Sequence, residues 1–251
     1  MDWSPYFFIA QLIGTRYLVF AGIAFLLAYV LLRKKIQARK IQARYPQQKD
    51  YLREIGYSIV TIFIFAAVPV FLIYNSSVRP FTQYYTDIDQ YGRLYFFAAF
   101  PIMLVIHDTY FYWTHRLMHH PAIFKYLHLV HHKSTNPSPW AAYAFHPLEA
   151  IVEAGVVVVF LFMMPIHKLH LGLFFLFMII YNVYGHLGFE LYPKGFSRHF
   201  IGKWINTSVN HNQHHQYFKG NYGLYFLFWD RLMGTIRPDY ETFFEEVKSK
   251  K

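Results

Sequence analysis

The chain has no cysteine among its 251 residues. That excludes disulfides, thiolate-bound zinc and thiolate-bound iron–sulfur clusters, so any metal must rest on histidine and carboxylate. Charge is also scarce. Only 15% of the residues are Asp, Glu, Lys or Arg, against roughly 25% in an ordinary soluble domain. No glycine-rich dinucleotide fingerprint appears, and no appended haem-binding domain is evident. The Glu-x-x-His pattern of soluble four-helix di-iron proteins is missing too. What fills the chain instead is apolar and aromatic, 55% and 22% of its residues, over a length that fits one domain.

The apolar residues fall in five stretches, roughly 17–32, 56–74, 94–106, 150–165 and 169–185. The first two and the last approach the roughly 20 residues that cross a bilayer core. The third reaches that length by continuing through Thr109 to Trp113, and the fourth is short enough to cross obliquely or to dip in and return. An all-α integral membrane bundle of four to five membrane helices is therefore expected, with a histidine-rich helical cap on its cytosolic face. The first apolar run is followed at once by Arg33-Lys34-Lys35 and reads as a retained anchor. Residues 33–53 carry eight basic residues and one Asp, which the positive-inside rule places in the cytoplasm. The 75–93 loop and the Ile166-His167-Lys168 turn then lie outside, and 115–149 and everything after 186 return inside. Only Arg16, Arg79, Arg93 and Lys168 of the 24 basic residues fall outside, which accounts for the net charge of +10 without nucleic acid: the charges flank spans and form no separate domain. A basic inner face attracts anionic headgroups. The five-residue echo Lys35–Arg39 and Lys40–Arg44 reads as a helical extension of the first span ending near Pro46. The expected divisions are an anchor over 1–90 with two spans and a basic loop, a catalytic domain over 91–240, and a charged, frayed tail over 241–251.

Nine of the 15 histidines fall in three clusters: His115, His119 and His120; His128, His131 and His132; His211, His214 and His215. Residues three and four apart share a helix face, so each cluster is expected to aim two or three ring nitrogens at one point. Eight or more converging imidazoles exceed what one four-coordinate ion needs and suit a pair of transition-metal ions. Imidazole serves zinc, copper, iron and nickel about equally.

The run from His107-Asp108 to His119-His120-Pro121, then His128-Leu-Val-His131-His132, His146-Pro147-Leu148-Glu149 and His211-Asn-Gln-His214-His215, resembles the sterol desaturase and fatty acid hydroxylase superfamily. Asn221-Tyr222-Gly223 and Trp229–Thr235 resemble the tail of the same family, so the resemblance covers about residues 95–237. One HxxxH is a weak signal; HxxxH, HxxHH and HxxHH in this order around a membrane pair is a specific one. The resemblance implies a membrane oxygenase with a histidine-bound di-iron centre, two iron ions that zinc is able to replace on isolation. Such enzymes use dioxygen to hydroxylate or desaturate a C–H bond of a lipid (a sterol, a fatty acyl chain or a related lipid). Lacking its own electron-carrying cofactor, the chain would need a separate donor, a cytochrome b5-like protein or a ferredoxin with its reductase. The active site would face the cytoplasm, in a bacterial inner membrane or an endoplasmic reticulum.

The ligand set expected from clusters and resemblance is His115, His119, His128, His131, His132, His186, His211, His214 and His215. His186 joins because an imidazole at the inner end of a span, facing the clusters, is more often functional than core. Glu190, one turn beyond, is expected to accept the N–H of a ligand. Asp108 and Arg116 are expected to orient ligands or to pair with each other. His107 and His146 read equally as supporting or structural, and His120 competes with His119. His167, His170 and His199 read as structural. Two other function classes fit a histidine-rich membrane chain: a metal carrier, which would spread its ligands over several depths, and a metal-dependent hydrolase, for which Glu149 or Glu190 would serve as base.

Overall fold

The computed structural model describes residues 2–250 and is mostly helical. Helix α1 (Ser4–Phe25) carries Pro5 in its first turn and widens into a π-helical turn over Leu26–Leu31. It begins well before the apolar run at 17 and carries Arg16 within it. Its buried face is the stripe Ala10, Ile13, Tyr17 and Ala21, while Phe7, Phe8, Leu18 and Ile23 point outward. Apolar residues on both faces mark a helix with lipid, not water, outside. Helix α2 (Gln48–Tyr74) opens on a capping box between Gln47 and Asp50 and buries Glu54, Ser58, Thr61, Ile62, Phe65, Ala66 and Pro69 along one face. Helix α3 (Arg93–Met118) does continue past 106, and its buried stripe Ala99, Met103, His107, Phe111 and His115 advances by four throughout.

Short helices α4 (Pro121–Leu127) and α5 (Leu129–His132) follow, and then α6 (Pro147–Met163), α7 (Lys168–Gly185), α8 (Ser208–Tyr217), α9 (Phe228–Leu232) and α10 (Tyr240–Ser249). Among the described residues, α1 with its π turn, α2, α3 and α7 are long and apolar enough to cross a bilayer. Helix α6, with 17 residues, rises about 25 Å, and its two ends settle what it does. Glu149 at its start touches His128, and just beyond its end Ile166 and His167 pair in parallel with Tyr84 and Tyr85 of the 75–92 loop. It therefore runs the full depth of the bundle, as α7 does in return. At that far end His167 Nε2 meets Thr86 O and His170 Nε2 meets Phe96 O, the structural work expected of them.

Two expected local structures are overturned. Residues 35–46 do not extend α1. They form turns and a 3-10 turn at Gln37–Arg39, then run back over the cap, where Ile41 N–H donates to Gly188 O and Glu190 N–H to Arg39 O. Lys40 is 1% exposed, with its ammonium over the Tyr45 and Phe189 rings. A tertiary contact has outcompeted the local helical echo. Nor is the chain's end frayed up to Lys250: α10 buries Tyr240, Phe244 and Val247 against Ile41, Val209 and Leu227.

Candidate metal centre

All three histidine clusters and His186 meet at one end of the bundle. Helix α3 brings His115 at its last turn and His119 as its C-cap; His128 sits between α4 and α5, and α5 carries His131 and His132. His186 caps the end of α7, and α8 carries His211, His214 and His215. Their ring nitrogens gather into two groups, His115, His119, His128, His132 and His214 in one and His131, His186, His211 and His215 in the other, each within 4.8 Å of one another. Every residue of the expected set is present. The expectation that each cluster serves one point is not met. Partners four apart stay together (115 with 119, 128 with 132, 211 with 215), whereas His131 and His214 each cross to the other group. Successive residues of a helix diverge by about 100°, so an HxxHH run cannot keep its adjacent pair on one target and instead bridges two.

In the first group, Nε2 atoms of His115 and His128 are 2.9 Å apart, His119 and His214 3.1 Å, and His132 lies 3.1 Å from His119 and 3.0 Å from His214. In the second, His186 Nε2 is 3.3, 3.0 and 3.2 Å from those of His131, His211 and His215. Hydrogen bonding among the rings cannot explain this. His115 Nδ1 faces Tyr222 O at 2.9 Å, His214 Nδ1 faces Gly220 O at 2.8 Å and His186 Nδ1 faces Asn182 O at 2.8 Å. A carbonyl only accepts, so each Nδ1 carries the proton and each Nε2 presents a bare lone pair. Burial lowers the pKa of His186 to about 4 and, outside the spans, pushes His128, His131, His132, His211, His214 and His215 well below the usual imidazole value, neighbouring imidazoles adding to the effect. Neutral rings aiming lone pairs at one point repel unless a cation lies between them. An ion about 2.0–2.1 Å from each nitrogen would set neighbouring nitrogens about 3.0 Å apart at right angles and about 3.4 Å at the tetrahedral angle, so the donor set fits one ion per group.

What orients these rings was only partly visible in the sequence. Glu149 Oε1 lies 2.6 Å from His128 Nδ1, the carboxylate–histidine arrangement that fixes a ligand's tautomer. Its signal was an acid in the first turn of an apolar helix that carries only one other charge, Glu153. The turn after α8 supplies the carbonyls for His115 and His214. Asp230 accepts from Tyr222 N–H and Gly223 N–H at 2.9 and 2.7 Å, and Asn221 Nδ2 donates to Asn210 O. Gly220 has φ +79°, and a Cβ at Gly223 would stand 2.3 Å from Phe226 O, so both glycines are required by this path. Glu190 does not hold His186. It accepts from Tyr184 Oη, Tyr192 N–H and Val209 N–H, because α7 ends at Gly185 and the chain turns away through left-handed Gly188 instead of stacking 190 over 186. Asp108 likewise leaves Arg116, which donates to Tyr112 Oη, and accepts from Tyr225 and Phe226 N–H. His120 is exposed and caps α4, His146 caps α6, and His199 accepts from Ile201 N–H. His107 is buried beside Tyr225 Oη.

Beneath the two groups, inside the bundle, lies a narrow cavity of about 20 Å³, with Phe65, Phe111, Phe145, Val157, Phe175 and Met178 among its walls. Phe111 packs on the His115 ring and Phe145 on the His131 ring, so these two side chains stand between the cavity and the histidines.

Fold and site together define a helical membrane protein with a histidine-lined centre at one end of its bundle and an apolar cavity leading to it. The fatty acid hydroxylase model matches residues 100–235, and the chain belongs to that family. It is 36% identical over 185 residues to a Delta(7)-sterol 5(6)-desaturase of Gibberella zeae, covering 72% of this chain and 54% of the relative. It is 32% identical to a Delta(7)-sterol 5(6)-desaturase of Leptosphaeria maculans over 92% of this chain and 61% of the relative. Lathosterol oxidase of Mus musculus is 29% identical over 77% of this chain and 64% of the relative. The chain thus spans between about half and two thirds of the length of these relatives. No solved structure matches it.

Proposed function

We propose that this chain is a membrane oxidase that uses two iron ions and dioxygen to introduce a double bond into a lipid of the sterol class. The observation that carries this reading is the convergence of imidazole nitrogens into two adjacent groups, five and four histidines, beside an apolar cavity. The names of its relatives favour desaturation over hydroxylation and a sterol over a fatty acyl chain. The balanced reaction takes a CH–CH unit, dioxygen, two electrons and two protons to a C=C unit and two waters. His115, His119, His128, His132 and His214 would hold one ion, and His131, His186, His211 and His215 the other; zinc is able to replace iron on isolation. The ions supply what the side chains cannot, activation of dioxygen and abstraction of an unactivated hydrogen.

The protein's part is to place and protect. Glu149 and the Tyr222, Gly220 and Asn182 carbonyls keep the ring protons on Nδ1, leaving Nε2 free. Phe111 and Phe145 separate the cavity from the His115 and His131 rings with apolar side chains. The absence of cysteine removes the side chain most easily oxidised in such a site. Electrons come from a separate donor protein, cytochrome b5-like or a ferredoxin with reductase. The basic 33–53 segment lies at the histidine end, as the run back over Gly188 requires, and the positive-inside rule favours the cytoplasmic face for the centre.

The test is lipid mass spectrometry of cells with and without the gene under labelled dioxygen. A sterol-class lipid lighter by two hydrogens, with the label recovered in water, is expected. A lipid gaining one labelled oxygen would replace desaturation by hydroxylation, and no oxygen-dependent lipid change would overturn the reading.

A further inference from the structure

The cavity beneath the histidines is apolar except for three residues, Glu153, His107 and Asn182. Asn182 already gives its carbonyl to His186. Glu153 is 9% exposed, lines the cavity, and makes no hydrogen bond among the described residues. His107 is 1% exposed and uses Nδ1 for Tyr225 Oη, leaving Nε2 without a protein partner. Burying such groups unpaired costs free energy, and their positions are held in place. Tyr110 Oη donates to Val152 O at 2.6 Å, next to Glu153, and a Cβ on Gly155 would stand 2.4 Å from that hydroxyl.

We propose that Glu153, with His107 on the same cavity, binds the hydroxyl group of a lipid alcohol and so selects the substrate and sets which carbon is oxidised. This inference rests on the reading of the centre as a lipid oxidase and adds to it the recognition of the substrate. A hydroxyl both donates and accepts, so it satisfies a carboxyl and an imidazole in either tautomer. A fatty acid carboxylate would meet a second carboxyl, and a plain hydrocarbon would leave both groups unmatched. The placement also sets distance along the substrate. Glu153 stands one turn, about 6 Å of helix rise, beyond Glu149, which touches His128. His107 stands two turns, about 12 Å, before His115. A hydroxyl held at Glu153 therefore lies about 6 Å of helix rise from the level of the histidines, with His107 deeper on the same cavity wall. The rest of the lipid has a way out. Phe175 lines this cavity and also a second one opening between α1, α2 and α7, walled by Ile9, Ile13, Pro69, Ile73 and Leu171. The Phe175 ring is the partition between them, and the tail lies past it toward the bilayer.

The experiment measures binding, not turnover, on the purified full chain in lipid nanodiscs, with iron. Its probes are the fluorescent sterol dehydroergosterol and its 3-deoxy counterpart, read by energy transfer from tryptophan. The wild type should bind the 3-hydroxy sterol about tenfold or more tighter than the 3-deoxy form, the effect of one hydrogen bond to a buried polar group. Glu153→Leu should remove that preference by weakening only the 3-hydroxy sterol. Glu153→Gln, which keeps a donor and an acceptor, should restore most of it. Equal wild-type affinity for the two sterols overturns the proposal, a result that needs no variant to fold, and so does an undiminished preference in Glu153→Leu. Because no oxidation is read, failure of the oxidase reading would show as absent lipid turnover with this preference intact.

Discussion

His131 and His132 are neighbours in sequence, yet their nitrogens serve different groups, and His214 and His215 repeat the division. That detail explains why the HxxHH spacing recurs: the i and i+4 pair holds one position while the residue between reaches the next. The carboxylates beside the centre divide as sharply. Glu149 touches a ring nitrogen, whereas Glu190 ties a turn and the start of α8 together. Glu149→Gln is therefore expected to weaken metal retention by roughly 10–100-fold, measured by chelator competition. Glu190→Gln should leave metal affinity unchanged and lower the melting temperature, since it replaces one accepting oxygen with an NH2 that faces a buried N–H, at a cost of about 1–3 kcal/mol. Equal effects of the two substitutions on metal affinity would contradict the assignment. At this scale the sequence exposed the nine imidazoles, because histidine spacing is a local property. It hid the carbonyls of Gly220 and Tyr222, since any residue has a carbonyl and only the fold aims it.

Among the elements, α6 is the one whose length left its path open, and its ends decide the topology. It starts at the histidine end and finishes on the 75–92 loop, so we propose it as a fifth pass beside the four helices long and apolar enough to cross, with the basic loop and the C-terminal region on one face. Reporter tags at residue 42 and at the C-terminus should be accessible from the cytoplasm, and a tag near Thr86 from the opposite side only. A C-terminus opposite residue 42 would mean that α6 does not cross. The spans themselves were legible because bilayer length and apolar content are written in composition. The 35–46 segment and α10 were not: Lys40 and Phe244 owe their burial to Phe189, Ile41 and Val209, partners far away in the chain, and local propensity carries no trace of them.

For the whole molecule, the buried neutral histidines make metal-free stability depend on acid. Burial holds His186 near a pKa of about 4 and lowers the other buried ligand-set histidines outside the spans well below the ordinary imidazole value. The unfolded chain takes up protons near the ordinary value of about 6.5. Below that pH the unfolded state binds more protons than the folded one, so stability falls as pH drops from about 6.5 toward 4. The metal-free protein should melt at steadily lower temperature over that window, and the metal-loaded protein, whose rings are held neutral by coordination, should change less until the metal leaves. Parallel curves for the two forms would contradict this.

The central claim is that nine histidines form two metal positions and not one. It is tested most directly by counting metal in purified, iron-reconstituted chain by mass spectrometry, beside His186→Ala prepared identically. Two irons per active wild-type chain and close to one in the variant, with its lipid turnover abolished, are predicted. A single iron per fully active wild-type chain, or two irons and full turnover in His186→Ala, would contradict it.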